Sequence, residues 1–237
     1  MFLQEVSHRP WPLPDGAWQY YQQWNDVILF HWQVPFEILR KYVPKALTLD
    51  SFDGHCYVSL VAFTMQKIRP RGLPPVKFIS DFNEVNVRTY VINAGRQGVY
   101  FLNIEAQKSL SAFLARNLSG LPFEKALITR TAHRYDSVNH QKNFQLSVQY
   151  NIAGEITEKQ PLDLWLTERY CLFVRAGESI FRYDIHHKEW DLNSLQVKDL
   201  TINYKFGEDL ILSGDTLSLS HYSPGVEVVS WRKEKVV

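Results

Sequence analysis

Between Phe82 and Ile92 the chain alternates with a period of two: Glu84, Asn86, Arg88 and Tyr90 fall on one side, Val85, Val87, Thr89 and Val91 on the other. Only an extended strand sends successive side chains to opposite faces, so this segment reads as a strand, and its β-branched face reads as the wall of a core. The opposite face carries a carboxyl, an amide, a guanidinium and a phenol. Two arrangements accommodate it. In an open antiparallel sheet it meets water and forms cross-strand ion pairs. Turned inward it lines a cavity, where Arg88 takes a substrate carboxylate by a bidentate pair and Glu84 is an acid/base candidate. The spacing fits both.

Strands recur along the rest of the chain. Trp24 to Trp32 reads as the first, followed by a helix opened by Pro35 and stopped by Pro44. Leu47 to Asp50 and Cys56 to Met65 read as a hairpin about Phe52-Asp53-Gly54, and Val99 to Gln107 pairs with the alternating strand across a Gly95 to Gly98 turn. Ser109 caps a helix presenting Leu110, Phe113, Leu114 and Leu118, and Pro161 opens an ambiguous piece in which Leu162, Trp165, Leu166 and Arg169 suit a further short helix. Phe144 to Ile152 alternates as a half-wet strand, Cys171 to Val174 and Ile180 to Ile185 form a hairpin, and Val197 to Tyr204, Thr216 to His221 and Val226 to Trp231 complete the set. No repeat or linker interrupts residues 1–237, which read as one domain. The fold class is α+β, mostly β: an antiparallel, barrel-like body or bent sandwich with two or three short helices.

Composition removes whole classes of function. Lys and Arg number 26 against 25 Asp and Glu, so no basic field exists for nucleic acid. Gly54 to Gln66, free of acidic and basic side chains apart from His55, falls short of a membrane-spanning helix, and Glu5, His8 and Arg9 occupy the place of a signal sequence. Cys56 and Cys171 sit apart in apolar runs, as buried thiols do in a reducing compartment, so the expected location is the cytoplasm. A homo-oligomer is compatible with all of this. No nucleotide, zinc-protease or serine-hydrolase motif occurs, and no cofactor or metal is expected. His186 and His187, adjacent on a strand, point to opposite faces and do not share an ion. His31 beside Trp32 reads as a hydrogen-bonded core histidine, Glu105 as an ion-pair partner, and Thr167-Glu168-Arg169-Tyr170 as a charged run fastening a helix end. Arg69 and Arg71, on a proline-stiffened loop, read as a solvated face or an anion clamp.

The order of Phe30-His31-Trp32-Gln33-Val34-Pro35, Thr48-Leu49-Asp50-Ser51-Phe52-Asp53-Gly54, Arg69-Pro70-Arg71-Gly72-Leu73-Pro74, Phe82 to Val91, Leu166-Thr167-Glu168-Arg169-Tyr170 and His186-His187-Lys188-Glu189-Trp190 is similar to the YqjF-like family of uncharacterised bacterial proteins, which shares the acetoacetate decarboxylase-like fold. The resemblance spans nearly the whole chain and implies a barrel-like body around a cavity, with the Glu84 face turned inward. It implies no reaction. The decarboxylases form a Schiff base on a lysine activated by a neighbouring cation. The similar place here reads Gly120-Leu121-Pro122-Phe123-Glu124-Lys125, where the neighbour is an anion, and no Lys-Lys pair occurs in the chain. Glu84 resembles the decarboxylase glutamate. Three readings follow: a protein that binds a small organic acid through Asn86, Arg88, Tyr90, Arg69 and Arg71, with or without turnover; a Schiff-base lyase using Lys125 and Glu84; and a structural or interaction module.

Overall fold

The computed structural model describes residues 2–107 and 123–237, so the helix expected from Ser109 lies outside the described residues. Strands dominate. They are β1 (Tyr20–Val34), β2 (Thr48–Leu49), β3 (Cys56–Pro70), β4 (Phe82–Asn93), β5 (Arg96–Ala106), β6 (Phe123–Lys125), β7 (Leu127–Thr131) and β8 (Arg134–Asn139). In the second half come β9 (Phe144–Glu155), β10 (Cys171–Ala176), β11 (Ser179–His186), β12 (Asn193–Phe206), β13 (Leu210–Leu212), β14 (Leu219–Ser230) and β15 (Glu234–Lys235). Short helices α1 (Phe36–Leu39), α2 (Lys77–Ser80) and α3 (Pro161–Thr167) fill three connections.

Seven strands close on themselves. The order β11-β10-β5-β4-β3-β1-β14 returns to its start because β14 also pairs with β11, through Ile185↔Ser230 and His186↔Val229. Within this ring only β10 and β5 run parallel. From β14 a second sheet, β12-β9-β8-β7, branches off. It packs on the outside of the ring, and the largest hydrophobic cluster fills the gap: Phe30, Leu60, Val85 and Val87 from the ring, Leu146, Val148 and Tyr204 from the second sheet. Strand β4 is therefore buried on both faces. Its valines meet the second sheet, and Glu84, Asn86 and Arg88 point into the ring.

Turn chemistry accounts for the local geometry. Ala94 and Gly95, both at positive φ, make the two-residue turn between β4 and β5, the primed type that matches strand twist. The turn thus begins one residue earlier than expected. The hairpin expected between Leu47 and Met65 does not form: β2 pairs with β4, because β1 and β4 already occupy both edges of β3. Thr216 to His221 and Val226 to Trp231 contribute to one strand, β14, in which Gly225 takes φ +125° where it abuts the Trp24 carbonyl.

Candidate functional site

The ring encloses a cavity of about 80 Å³ to which each of its seven strands contributes a wall residue. At roughly 10–15 Å³ per water, that is space for a few waters or one small organic molecule. The wall is mostly apolar, with Trp24, Phe63, Ile104 and Leu172 among its members, and Glu84, Asn86 and Arg88 enter it from β4. Phe101 and Ile104 share this wall although strict alternation would separate them. The register slips between Val87↔Asn103 and Arg88↔Phe101, so Leu102 is an extra residue that reverses the phase of β5.

Glu84 is buried, and loss of hydration pushes its carboxyl up to about 7, against a smaller opposing effect of the Asn86 amide, which donates to Oε1 at 3.2 Å. The Tyr135 hydroxyl fixes the Glu84 carbonyl from the second sheet at 2.9 Å. Arg88 is 6% exposed and, among the described residues, makes no hydrogen bond or ion pair; its Nε and the Asn86 Oδ1 are buried without partners. An unpaired buried cation is expensive, by several kcal/mol.

Tyr90 continues the same face but does not line the cavity. Its ring packs on Trp165 of α3 at 4.5 Å, and its hydroxyl lies 2.6 Å from Ser59 Oγ and 3.0 Å from the Leu166 carbonyl. Behind Arg88, Ser59 opens a buried chain. His31 Nδ1 is 2.7 Å from Ser59 Oγ, His31 Nε2 is 3.2 Å from His221 Nδ1, and His221 Nε2 is 3.0 Å from Asp163 Oδ1. Asp163 is also the third residue of α3, where its other oxygen accepts the Gln160 backbone N–H in a capping box.

The remaining candidates lie elsewhere. Arg69 lies at the end of β3 and not on the proline loop, because it pairs with Tyr21 of β1, over whose ring it stacks at 3.9 Å; Arg71, on the loop beyond, lies over Trp18 at 5.3 Å, and neither guanidinium lines the cavity. Lys125 is exposed on β6 and also outside the lining, to which no lysine among the described residues contributes. Among the described residues Glu105 has no cation: it faces the second sheet, where the Tyr204 hydroxyl at 2.8 Å, Asn139 at 3.1 Å, Ser137 and Asn103 all donate to it, and burial raises its carboxyl above the ordinary range. The ion pair expected of Glu105 is thus replaced by neutral donors, because β5 is covered at that point. Arg169 pairs with Asp50, and Glu168 accepts from the Tyr170 hydroxyl and the Trp190 backbone, so the charged run ties α3 to the ring. His187 stacks on Tyr170, and burial holds it neutral, down to about 3. Among the described residues no cluster of three His, Cys, Asp or Glu side chains is arranged to hold a metal ion, and no helix is long and apolar enough to cross a membrane.

Asp163 and His221 went unnoticed in the sequence, where 132 and 190 positions separate them from His31. Only the closure of the ring brings them together.

This ring around a small cavity, backed by a second sheet, is similar in fold to solved acetoacetate decarboxylase-like proteins. A solved acetoacetate decarboxylase superimposes with a TM-score of 0.62 at 13% identity, covering 94% of this chain and 90% of its own. The enduracididine biosynthesis enzyme MppR, solved in complex with pyruvate, superimposes at 0.58 with 13% identity over 97% and 93%. Residues 21–227 match the DUF2071 family of uncharacterized conserved proteins, and the chain belongs to that family. It is 33% identical over 230 residues to the uncharacterized protein YqjF of Bacillus subtilis (strain 168), covering 94% of this chain and 95% of YqjF.

Proposed function

We propose that the ring cavity binds a small organic acid as its carboxylate, with Arg88 as the counter-ion. One observation carries this reading: Arg88 is a buried guanidinium in a mostly apolar wall with no anion beside it among the described residues. A carboxylate of three or four carbons supplies the missing charge within the available volume. Glu84, titrating at about 7, offers a proton to a ligand carbonyl or hydroxyl, and a carboxyl tuned near neutrality is suited to acid/base chemistry if the ligand is turned over. The pyruvate complex of MppR supports the keto-acid class. A Schiff-base mechanism finds no lysine among the described residues of the lining, and a purely structural module leaves the orphaned guanidinium without a purpose. The free thiols of Cys56 and Cys171 suit a cytoplasmic setting.

The test is a thermal-shift screen with acetate, pyruvate, acetoacetate and succinate. A carboxylate at 100 times its Kd adds roughly 2.7 kcal/mol, worth roughly 5 to 10 °C in Tm at this chain length. Arg88→Met abolishes the shift. A flat screen on the wild type, or an unchanged affinity in Arg88→Met, overturns the reading and directs attention to protein partners.

A further inference from the structure

Five links run in series through the ring interior: Asp163 to His221, His221 to His31, His31 to Ser59, Ser59 to Tyr90, and Tyr90 to the Leu166 carbonyl. Both ends of this chain are acceptors, a carboxylate and a carbonyl. Each link needs a proton. With both imidazoles neutral, His221, His31, Ser59 and Tyr90 bring one proton apiece, four in all, so one of the five links is left with two lone pairs facing each other in a dry interior. A fifth proton completes the chain, and it requires one ring to donate from both nitrogens. His221, lying against the Asp163 carboxylate, is the ring placed to do so.

The surrounding charges decide whether that proton enters. Arg88 and Tyr90 approach from β4, Ser59 from β3 directly opposite Arg88, and Asp163 from α3. Arg169 stacks on Tyr90 at 4.8 Å, but Asp50 neutralises it. Glu84 lies further along β4. Arg88 is therefore the uncompensated cation. Burial first, then His221 and Arg88, hold His31 well below the ordinary histidine value, and burial lowers His221 against the pull of Asp163. The unliganded chain is the four-proton form.

We infer that binding of an anion at Arg88 is coupled to uptake of one proton by the Asp163–His221–His31–Ser59–Tyr90 chain. The inference rests on the anion-site reading above. A bound carboxylate cancels the Arg88 charge that acts on His31, the ring that shares the link to His221 which the fifth proton fills, and by reciprocity the protonated chain holds the anion more tightly. Affinity then weakens by up to about tenfold per pH unit as pH rises from the range in which the free chain has lost its fifth proton to the higher range in which the liganded chain loses it, and levels off beyond.

Glu84 could also gain a proton when an anion arrives, so the experiment separates the two. The full chain and its Glu84→Gln variant are titrated calorimetrically with acetate, pyruvate and acetoacetate in Bis-Tris and in Tris, cationic buffers whose different ionisation enthalpies reveal protons exchanged without competing for the anion site. Histidine ¹⁵N NMR of the wild type follows His221. The expected result is uptake approaching one proton per anion in both proteins, His221 nitrogens moving to imidazolium positions on saturation, and no uptake in Asp163→Asn. Binding without uptake in the wild type, or uptake that vanishes in Glu84→Gln while His221 stays neutral, overturns the coupling and leaves the anion site standing. Failure of all three carboxylates to bind the wild type overturns the anion site and the coupling with it.

Discussion

Asp50 and Arg169 meet at 2.6 Å across 119 positions of sequence, with both side chains nearly closed to solvent. Arg169 also donates to the Trp165 carbonyl at 2.8 Å and lies over the Trp165 ring, so the pair fixes the end of α3 over the ring. Removing one partner strands the other charge. Asp50→Ala is expected to cost about 3–5 kcal/mol, and the apolar double variant Asp50→Leu with Arg169→Met less than that. Urea unfolding of the two variants distinguishes them; a loss below about 1 kcal/mol in Asp50→Ala would show that the pair does not hold the helix.

Glu84 makes stability depend on pH with a defined sign. Its folded carboxyl titrates at about 7 against an ordinary 4.5, so between those values the folded protein binds more protons than the unfolded chain. The favourable contribution is complete below about pH 4.5 and is lost as pH rises to about 7, on the order of 3 kcal/mol. Glu84→Gln stays neutral throughout. Its unfolding midpoint should exceed that of the wild type at about pH 8 and converge on it near pH 5, and parallel curves would contradict the burial argument.

Gly98 of β5 lies against the first residue of β10. A Cβ there would sit 2.5 Å from the Cys171 carbonyl oxygen and 2.6 Å from its sulfur. One contact is backbone, which cannot swing aside. Gly98→Ala is therefore expected to lower stability by about 1–3 kcal/mol, read as a fall in Tm, whereas Gly154→Ala, with open space around its Cβ, stays close to wild type.

Lys125 gives a chemical test of the competing lyase reading. Being exposed and outside the cavity, it should acquire no reduced adduct when the protein is treated with borohydride and pyruvate or acetoacetate. Intact mass and peptide mapping settle the matter, and a stoichiometric increment on Lys125 would restore the Schiff-base mechanism.

Where the chemistry is local, the sequence could be read directly. The alternation of Glu84, Asn86 and Arg88 defined a strand and a polar face, and Pro161 marked a helix start, because period and φ restriction need no tertiary information. Which way the face pointed was not legible: β4 is packed on both sides by strands from distant parts of the chain. The bulge at Leu102 was invisible for a similar reason, since Phe101, Leu102 and Tyr100 are interchangeable as strand formers. Tyr90 shows the limit of period-two reasoning. It shares a face with Arg88, yet α3 seals its end of the ring. Arg71 lies on the expected loop, but Arg69 belongs to the end of β3, where it pairs with Tyr21 of β1; Pro70 misled the local reading because it closes an edge of the strand without ending it earlier.

The seam of the ring is two residue pairs long, Ile185↔Ser230 and His186↔Val229, and its last strand, β14, ends only at Ser230. During synthesis on a ribosome, β1, β3, β4 and β5 emerge long before the strand that completes the circle. Until β14 leaves the exit tunnel, Glu84 and Arg88 face water, fully hydrated and ordinary in their chemistry. The perturbed carboxyl and the stranded guanidinium are thus acquired in the final stage of assembly, and nascent chains halted before Leu219, where β14 begins, would be expected to carry the residues of the site without its properties.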